Sequence, residues 1–283
     1  SQHSTWKSLV PTGIFGVPEL TSDRRGMVIG NFHIGIMGNL FSGKTTLMDA
    51  LTAEPYRSEL QKLVGGAEMY AFTERVEKDS LTDRCLKLFY EDRVANIFAT
   101  EVAFLHMRVL QQREIRHLMT RDSKSPVIVL EDRPFLDGPE VFVRRMIDAG
   151  EMPAAHAELY YTLFHQTLHH DRIRLPDLTV YLRTEPELLE KRRAKRADSG
   201  DAYAQTITLD YLSQIHAHYE TLAAGWRDIL RKYQELTIVP PDSDIVILPA
   251  EIDMYEHPDY VHVAAGMIRE RVRRMVASRV KKG

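Results

Sequence analysis

Gly38-Asn39-Leu40-Phe41-Ser42-Gly43-Lys44-Thr45 satisfies the phosphate-loop pattern G-x-x-x-x-G-K-[ST], and its flanks are the ones that pattern requires. Ahead of it, Phe32 to Met37 is an apolar run of strand length; behind it, Thr46 to Thr52 reads as the first turns of a helix. The order is strand, loop, helix. The two glycines let successive N–H groups turn inward toward phosphate oxygens, with the positive end of the helix behind them. Gly38, Asn39, Ser42, Gly43, Lys44, Thr45 and Thr46 are therefore the expected contacts to a nucleotide's phosphates. Lys44 adds a point charge near the outer phosphates, and the Thr45 hydroxyl is placed to ligate Mg²⁺.

Outward from the loop, short apolar runs alternate with helical patterns. Val127-Ile128-Val129-Leu130 and Leu178-Thr179-Val180-Tyr181-Leu182 are buried strands, Ile245 to Leu248 is a last one, and Glu68 to Glu77 has the makings of a second. Helices are expected over Leu86 to about Met119, near 139–150 and 153–171, from Pro186 to about Arg196, over Leu209 to Tyr233, and from Tyr260 to Lys282. Such alternation implies an α/β fold: a mostly parallel sheet with helices on both faces. Residues 1–26 carry Pro11, Gly13, Gly16 and Pro18 without helical periodicity and read as an irregular arm; 27–283 read as a single domain.

The 283 residues are 44 % hydrophobic, with no apolar run long enough to span a membrane. A net charge of −3 and a pI near 6.5 supply no global attraction to nucleic acid, so no direct nucleic-acid binding is expected. One cysteine, Cys85, excludes an internal disulfide framework and suits a reducing compartment; its plain reading is a half-buried helix residue. The sequence opens on Ser1 rather than methionine, as it would after removal of a leader, and no signal-peptide core is visible.

Three further features carry chemistry. The strand Val127 to Leu130 ends in Glu131-Asp132-Arg133, and a carboxylate beside a phosphate loop holds Mg²⁺ or its waters, which points to Asp132. Along the long helix, Val94, Ile97, Phe98, Phe104 and Leu105 trace an apolar stripe on which Glu101 and Arg108 also fall. These two charges lie roughly 10 Å apart along the axis, room for a planar polar ligand. Alternatively, the stripe opens on a cleft there or each charge pairs elsewhere. The basic run Glu190 to Arg196, beside the stretch Ala197 to Asp201, suits a mobile lid bringing guanidinium groups to a transferred phosphoryl, or else a solvated helix face. His165, His169 and His170 are read as surface or packing residues rather than metal ligands.

From about residue 33 to 275 the chain resembles the deoxynucleoside kinase family. The resemblance rests on the phosphate loop, Phe89-Tyr90-Glu91-Asp92 with the helix from Phe98 to Arg108, Asp132-Arg133, Tyr181-Leu182-Arg183-Thr184-Glu185-Pro186-Glu187, and Leu209-Asp210-Tyr211-Leu212 with His216 and Tyr219. It implies a P-loop kinase fold with a five-stranded parallel sheet and a helical lid at about 192–205, usually dimerised through a helical bundle. It also implies ATP and Mg²⁺ as cofactors and phosphorylation of the 5′-hydroxyl of a deoxynucleoside in the cytoplasm or mitochondrial matrix. By the same resemblance Glu74 is the general base, with Glu68 and Glu77 as rivals. Arg133 holds that base and the incoming phosphoryl, Tyr90 binds the sugar 3′-hydroxyl, Arg192 and Arg196 reach the donor phosphates, and Pro249 to Asp253 lies near the donor base.

The sequence departs from the family at the acceptor. The base-reading glutamine is Glu101, while its partner arginine is kept as Arg108. The aspartate after the Asp-Arg motif is Gly138, with Pro134 for the usual serine. The glutamate before the phosphate loop is Met37, and Asp198 or Asp201 stands in for a lid glutamate. An ionised glutamate only accepts hydrogen bonds, which favours a base edge that donates, such as that of guanine, unless Glu101 is protonated or engaged by Arg108. A purine or modified base is thus the expected acceptor class. Two other readings keep the fold: a nucleotide as acceptor, and a structural subunit of a larger mitochondrial complex, as with one accessory subunit of complex I.

Overall fold

The computed structural model describes residues 30–74, 80–121, 125–249 and 257–280. Five parallel strands, β1 (Phe32–Gly38), β2 (Glu68–Phe72), β3 (Val127–Asp132), β4 (Leu178–Arg183) and β5 (Asp244–Pro249), form one sheet in the order β2-β3-β1-β4-β5. Every residue of β1 and β3 is buried, so these strands read in the sequence as continuous apolar runs rather than alternating ones.

Alternation nevertheless decides what each side chain meets. Ile34 and Ile36 of β1, Ile128 and Leu130 of β3 and Val180 and Leu182 of β4 point to one face. There they pack under α1 (Lys44–Thr52), α2 (Tyr56–Leu63) and α11 (Pro258–Val280). Each fully buried aliphatic side chain is worth about 1.5–3 kcal/mol. Met37, Val129 and Tyr181 face the other way, toward α4 (Arg93–Thr120) and α9 (Leu209–Ala224). Arg279, near the end of α11, bonds Asp177, whose carboxylate also accepts the N–H of His33 at 2.7 Å at the start of β1.

The remaining helices are α3 (Leu81–Glu91), α5 (Arg144–Asp148), α6 (Ala154–Asp171), α7 (Pro186–Asp198), α8 (Ala202–Thr206) and α10 (Trp226–Tyr233). Several boundaries differ from the sequence reading. The single helix expected from Leu86 to Met119 is two, because Asp92 takes an extended backbone and its side chain caps α4 by accepting from Ala95 N. The helix expected from Leu209 to Tyr233 breaks at Gly225 into α9 and α10. The one near 139–150 begins as a wide π-helical turn, Gly138–Val143, before α5. Val94, placed on the apolar stripe of α4, is 67 % exposed, whereas Ile97 and Leu105 are buried. Residues 1–26, Glu77 and 250–253 lie outside the described residues.

Candidate active site

The carboxyl ends of β1, β2 and β3 meet at the phosphate loop, the place where open α/β sheets bind ligands. Gly43 caps α1 with φ +95, a left-handed conformation that glycine adopts at least cost. Lys44 is buried and folds back on the loop, donating to Gly38 O at 3.0 Å and Asn39 O at 2.9 Å. Burial, and then the charge of Arg133, push its ammonium down to about 8, against the pull of Asp132 and Glu74. The Asn39 side chain donates to Leu212 O on α9 at 2.8 Å and accepts from Leu40 N at 2.8 Å, which ties the loop to α9. Thr45 is exposed and Thr46 half-buried at the start of α1.

Pleating separates the two acids at the end of β3. Glu131 is buried against His33 (2.9 Å) and Gln112 beneath α4. Asp132, in register with Ile36, reaches the loop instead. Among the described residues its Oδ1 is buried without a hydrogen-bond partner, as is Ser42 Oγ. Unpaired oxygens at this point fit a divalent cation, for which Asp132 and Thr45 are the available hard donors.

Next to Asp132, Arg133 holds a left-handed backbone at φ +58. Its Nε pairs with Glu74 Oε2, while Arg108 Nη2 donates to Glu74 Oε1 at 2.6 Å. Glu74, two residues past β2, thus joins the residue that follows β3 to one of α4. Burial raises its carboxyl, but the charges of Arg133 and Arg108 outweigh that and leave it below the usual carboxylate range. Glu68 sits at the opposite end of β2, about 13 Å of strand away, exposed and paired with Tyr70 and Arg121. That placement removes Glu68 as a rival base.

Behind Arg133 lies a pair that the sequence reading did not assign. Tyr219 accepts from Arg133 Nη1 at 3.1 Å and donates to Asp137 Oδ2 at 2.7 Å. Asp137 is 1 % exposed, and burial raises its carboxyl to about 7 against the pull of Arg133 and Tyr219. A polar residue isolated in Phe135-Leu136-Asp137-Gly138, just after the strand-end arginine, was the available signal.

Glu101 and Arg108 are both buried, seven positions apart on α4. Burial, opposed by Arg108 and helped by Glu74, raises Glu101 to about 7. Tyr90, on α3, has its ring 4.7 Å from that of Tyr203 on α8. Burial, then Tyr211, Tyr203 and Asp201, raise the Tyr90 phenol. Asp201 therefore lies near Tyr90; it also caps α8 and faces Arg196 at 3.5 Å. On α7, Arg192 donates to the phosphate-loop carbonyls of Phe41 (3.2 Å) and Ser42 (3.1 Å), and Arg196 lies over the Phe41 ring at 5.7 Å. His165 packs among Tyr161 and Phe164, and His169 and His170 are exposed.

Residues 34–254 match the family model described as deoxynucleoside kinase. This chain belongs to the deoxynucleoside kinase family. Human mitochondrial thymidine kinase 2 is similar to it, 28 % identical over 195 residues; the aligned stretch is 68 % of this chain and 64 % of the human protein. The deoxyadenosine kinase of M. mycoides shares the fold. Its structure with bound dATP superposes with a TM-score of 0.59 at 17 % identity, covering 84 % of this chain and 98 % of that one. Its complex with dCMP and a flexible dCDP gives 0.57 at 19 %, covering 85 % and 98 %.

Within this family member the departures noted in the sequence meet different neighbours. Met37 is buried in the core under α9, a purely apolar substitution. Pro134 packs on Gly35, where a Cβ would come 2.4 Å from the ring. Gly138 lies directly under the Arg108 guanidinium.

Proposed function

We propose that this protein transfers the γ-phosphoryl group of ATP to the 5′-hydroxyl of a deoxynucleoside or close analogue. The observation that carries this is Glu74, a carboxylate brought to the phosphate loop and held by Arg133. In the reaction the acceptor's hydroxyl oxygen bonds to the γ-phosphorus as the bond to the β,γ-bridging oxygen breaks. The hydroxyl proton passes to Glu74, and ADP leaves. Lys44, released from Gly38 O and Asn39 O, meets the outer phosphates. Arg192 and Arg196, already against the loop, meet the charge that spreads over the transferred group. Asp132 and Thr45 would hold Mg²⁺, which would supply neutralisation of the phosphate charge.

Tyr90 is assigned to the sugar and Glu101 with Arg108 to the base. Near neutral pH Glu101 is shared between a form that only accepts and a form that also donates, which suits a purine or modified base edge. The chain is proposed to act as one domain over 27–283 with residues 1–26 as an arm, and as a homodimer. Exposed Leu110 on α4 and Leu159 on α6 support the dimer. A reducing compartment, cytoplasm or mitochondrial matrix, is proposed from the lone Cys85 and from the human relative's name. No helix among the described residues is long and apolar enough to cross a membrane.

The test is incubation with Mg-ATP and each natural and common modified nucleoside, with products identified by mass. A monophosphate that disappears in Glu74→Gln while nucleotide binding persists supports the reading. No monophosphate from any nucleoside, despite measurable ATP binding, refutes it. Conversion of nucleotides instead would move the acceptor to that class.

A further inference from the structure

Gly138 opens its π-helical turn without a left-handed φ, so the backbone does not call for glycine there. Space does. A Cβ at this position would come 2.3 Å from Arg108 Nη1, closer than real atoms approach. The bare backbone is the floor on which the guanidinium lies as it reaches Glu74 Oε1 at 2.6 Å. Arg133 engages the second oxygen of the same carboxylate. Arg108 is only 7 % exposed and its Nε is buried with no hydrogen-bond partner among the described residues. The guanidinium is thus committed to Glu74 by one nitrogen while another waits for an acceptor.

A carboxylate with both oxygens on buried guanidinium groups is well placed but poorly basic. We propose that Arg108 is a positioning residue for Glu74, given its reach by Gly138, that latches the carboxylate in the empty site and is drawn off by an acceptor whose nucleobase offers hydrogen-bond acceptors. This rests on reading Glu74 as the base. It makes Glu74 available for a proton only once a nucleoside is in place. With ATP bound and no nucleoside, water could occupy the hydroxyl's position. Glu74 would then take a proton from the water, the water oxygen would bond to the γ-phosphorus, and the bond to the β,γ-bridging oxygen would break, giving ADP and inorganic phosphate. The latch suppresses that loss. Arg108→Lys is no substitute, since a point charge cannot serve a carboxylate and a base edge with separate nitrogens.

The experiment measures ADP release from Mg-ATP without nucleoside, for the full chain and for Gly138→Ala and Arg108→Gln, each with and without Glu74→Gln. Expected is a rise of about tenfold in both single variants, the scale of one lost charge-assisted contact, and its return to the starting rate when Glu74→Gln is added. The acid limb of that hydrolysis should move to higher pH in Arg108→Gln, because one of the cations holding Glu74 down is gone. Among the described residues, the other groups facing Glu74 are unchanged between the two proteins: Lys44 on α1, Asp132 at the end of β3, Arg133 just past it, Glu101 on α4 and Tyr219 on α9. A structural role alone would leave that limb where it is. If Gly138→Ala does not fold, Arg108→Gln carries the test. Hydrolysis at the unmodified rate in folded variants, or an excess that survives Glu74→Gln, overturns the latch. If Glu74→Gln alone retains full nucleoside phosphorylation, Glu74 is not the base and both readings fall. If it abolishes transfer while Gly138→Ala and Arg108→Gln hydrolyse ATP no faster, only the latch falls.

Discussion

Replacing Glu101 by glutamine tests whether α4 carries a buried carboxyl that is half ionised near neutral pH. The side chain is 7 % exposed, and burial raises it from an ordinary 4.5 to about 7 despite the attraction of Arg108. Because the folded protein holds this proton more tightly than the unfolded chain, the associated stability is fully present below about 4.5. It is lost as pH rises to about 7, and the loss is complete above that. The interval, at about 1.4 kcal/mol per pH unit, is worth about 3 kcal/mol. Glutamine, similar in shape to the protonated acid, has no such dependence. The difference in stability between Glu101→Gln and the unmodified protein should therefore shift in the variant's favour by about 3 kcal/mol between pH 5 and pH 8. In a domain of this size that is roughly 6–12 °C in relative melting temperature. Paired thermal melts and urea titrations at the two pH values measure it. A difference that does not change with pH, or that moves against the variant, would refute the account of Glu101 as a desolvated carboxyl. The same variant should alter which nucleoside is phosphorylated while leaving ATP affinity alone.

Lys44→Ala should lower phosphoryl transfer by about 10²-fold or more, the scale of a removed transition-state contact; steady-state assays and a melt showing a folded protein check it. Tyr219→Phe leaves Asp137 without its donor and Arg133 without one acceptor, and should cost about 1–3 kcal/mol in urea unfolding, with kcat reduced more than ATP affinity. Asp132→Asn should weaken the binding of Mg²⁺, raising the concentration for half-maximal rate about tenfold or more; a titration that overlays the unmodified one would remove Asp132 as a ligand.

Much of the fold could be read from local pattern. β1, β3 and β4 are apolar runs of strand length, and the phosphate loop has a fixed spacing, so strand, loop and helix followed directly. Pro186 marked the start of α7 because its ring suits a first turn. Breaks made by one residue were harder. Asp92 is a good N-cap residue, but the apolar pattern runs on across it and hides the break, and Gly225 is tolerated inside helices often enough to be passed over. α2, with few apolar residues and one buried leucine, gave too little periodicity to find.

The site divides the same way. Residues fixed by a motif, Lys44, Asp132 and Arg133, sit together at the strand ends. The contacts of Glu74 with Arg108 and of Asp137 with Tyr219 span 34 and 82 residues, and no local pattern encodes them. The first depends on what position 138 lacks, which matters only once the chain is folded around it.

The position of α11 bears on how the chain reaches this state. That helix covers the face of the sheet formed by Ile34, Ile36, Val180 and Leu182, and Arg279 ties it to the start of β1 through Asp177. During synthesis the strands and the phosphate loop exist long before residues 258–280 do. Until then the part of that face not covered by α1 and α2 waits exposed, a target for chaperones and for aggregation. Covering that face is in this sense a late step of folding, and a change that weakens the Arg279–Asp177 contact should lower the yield of folded protein before it lowers anything the folded protein does.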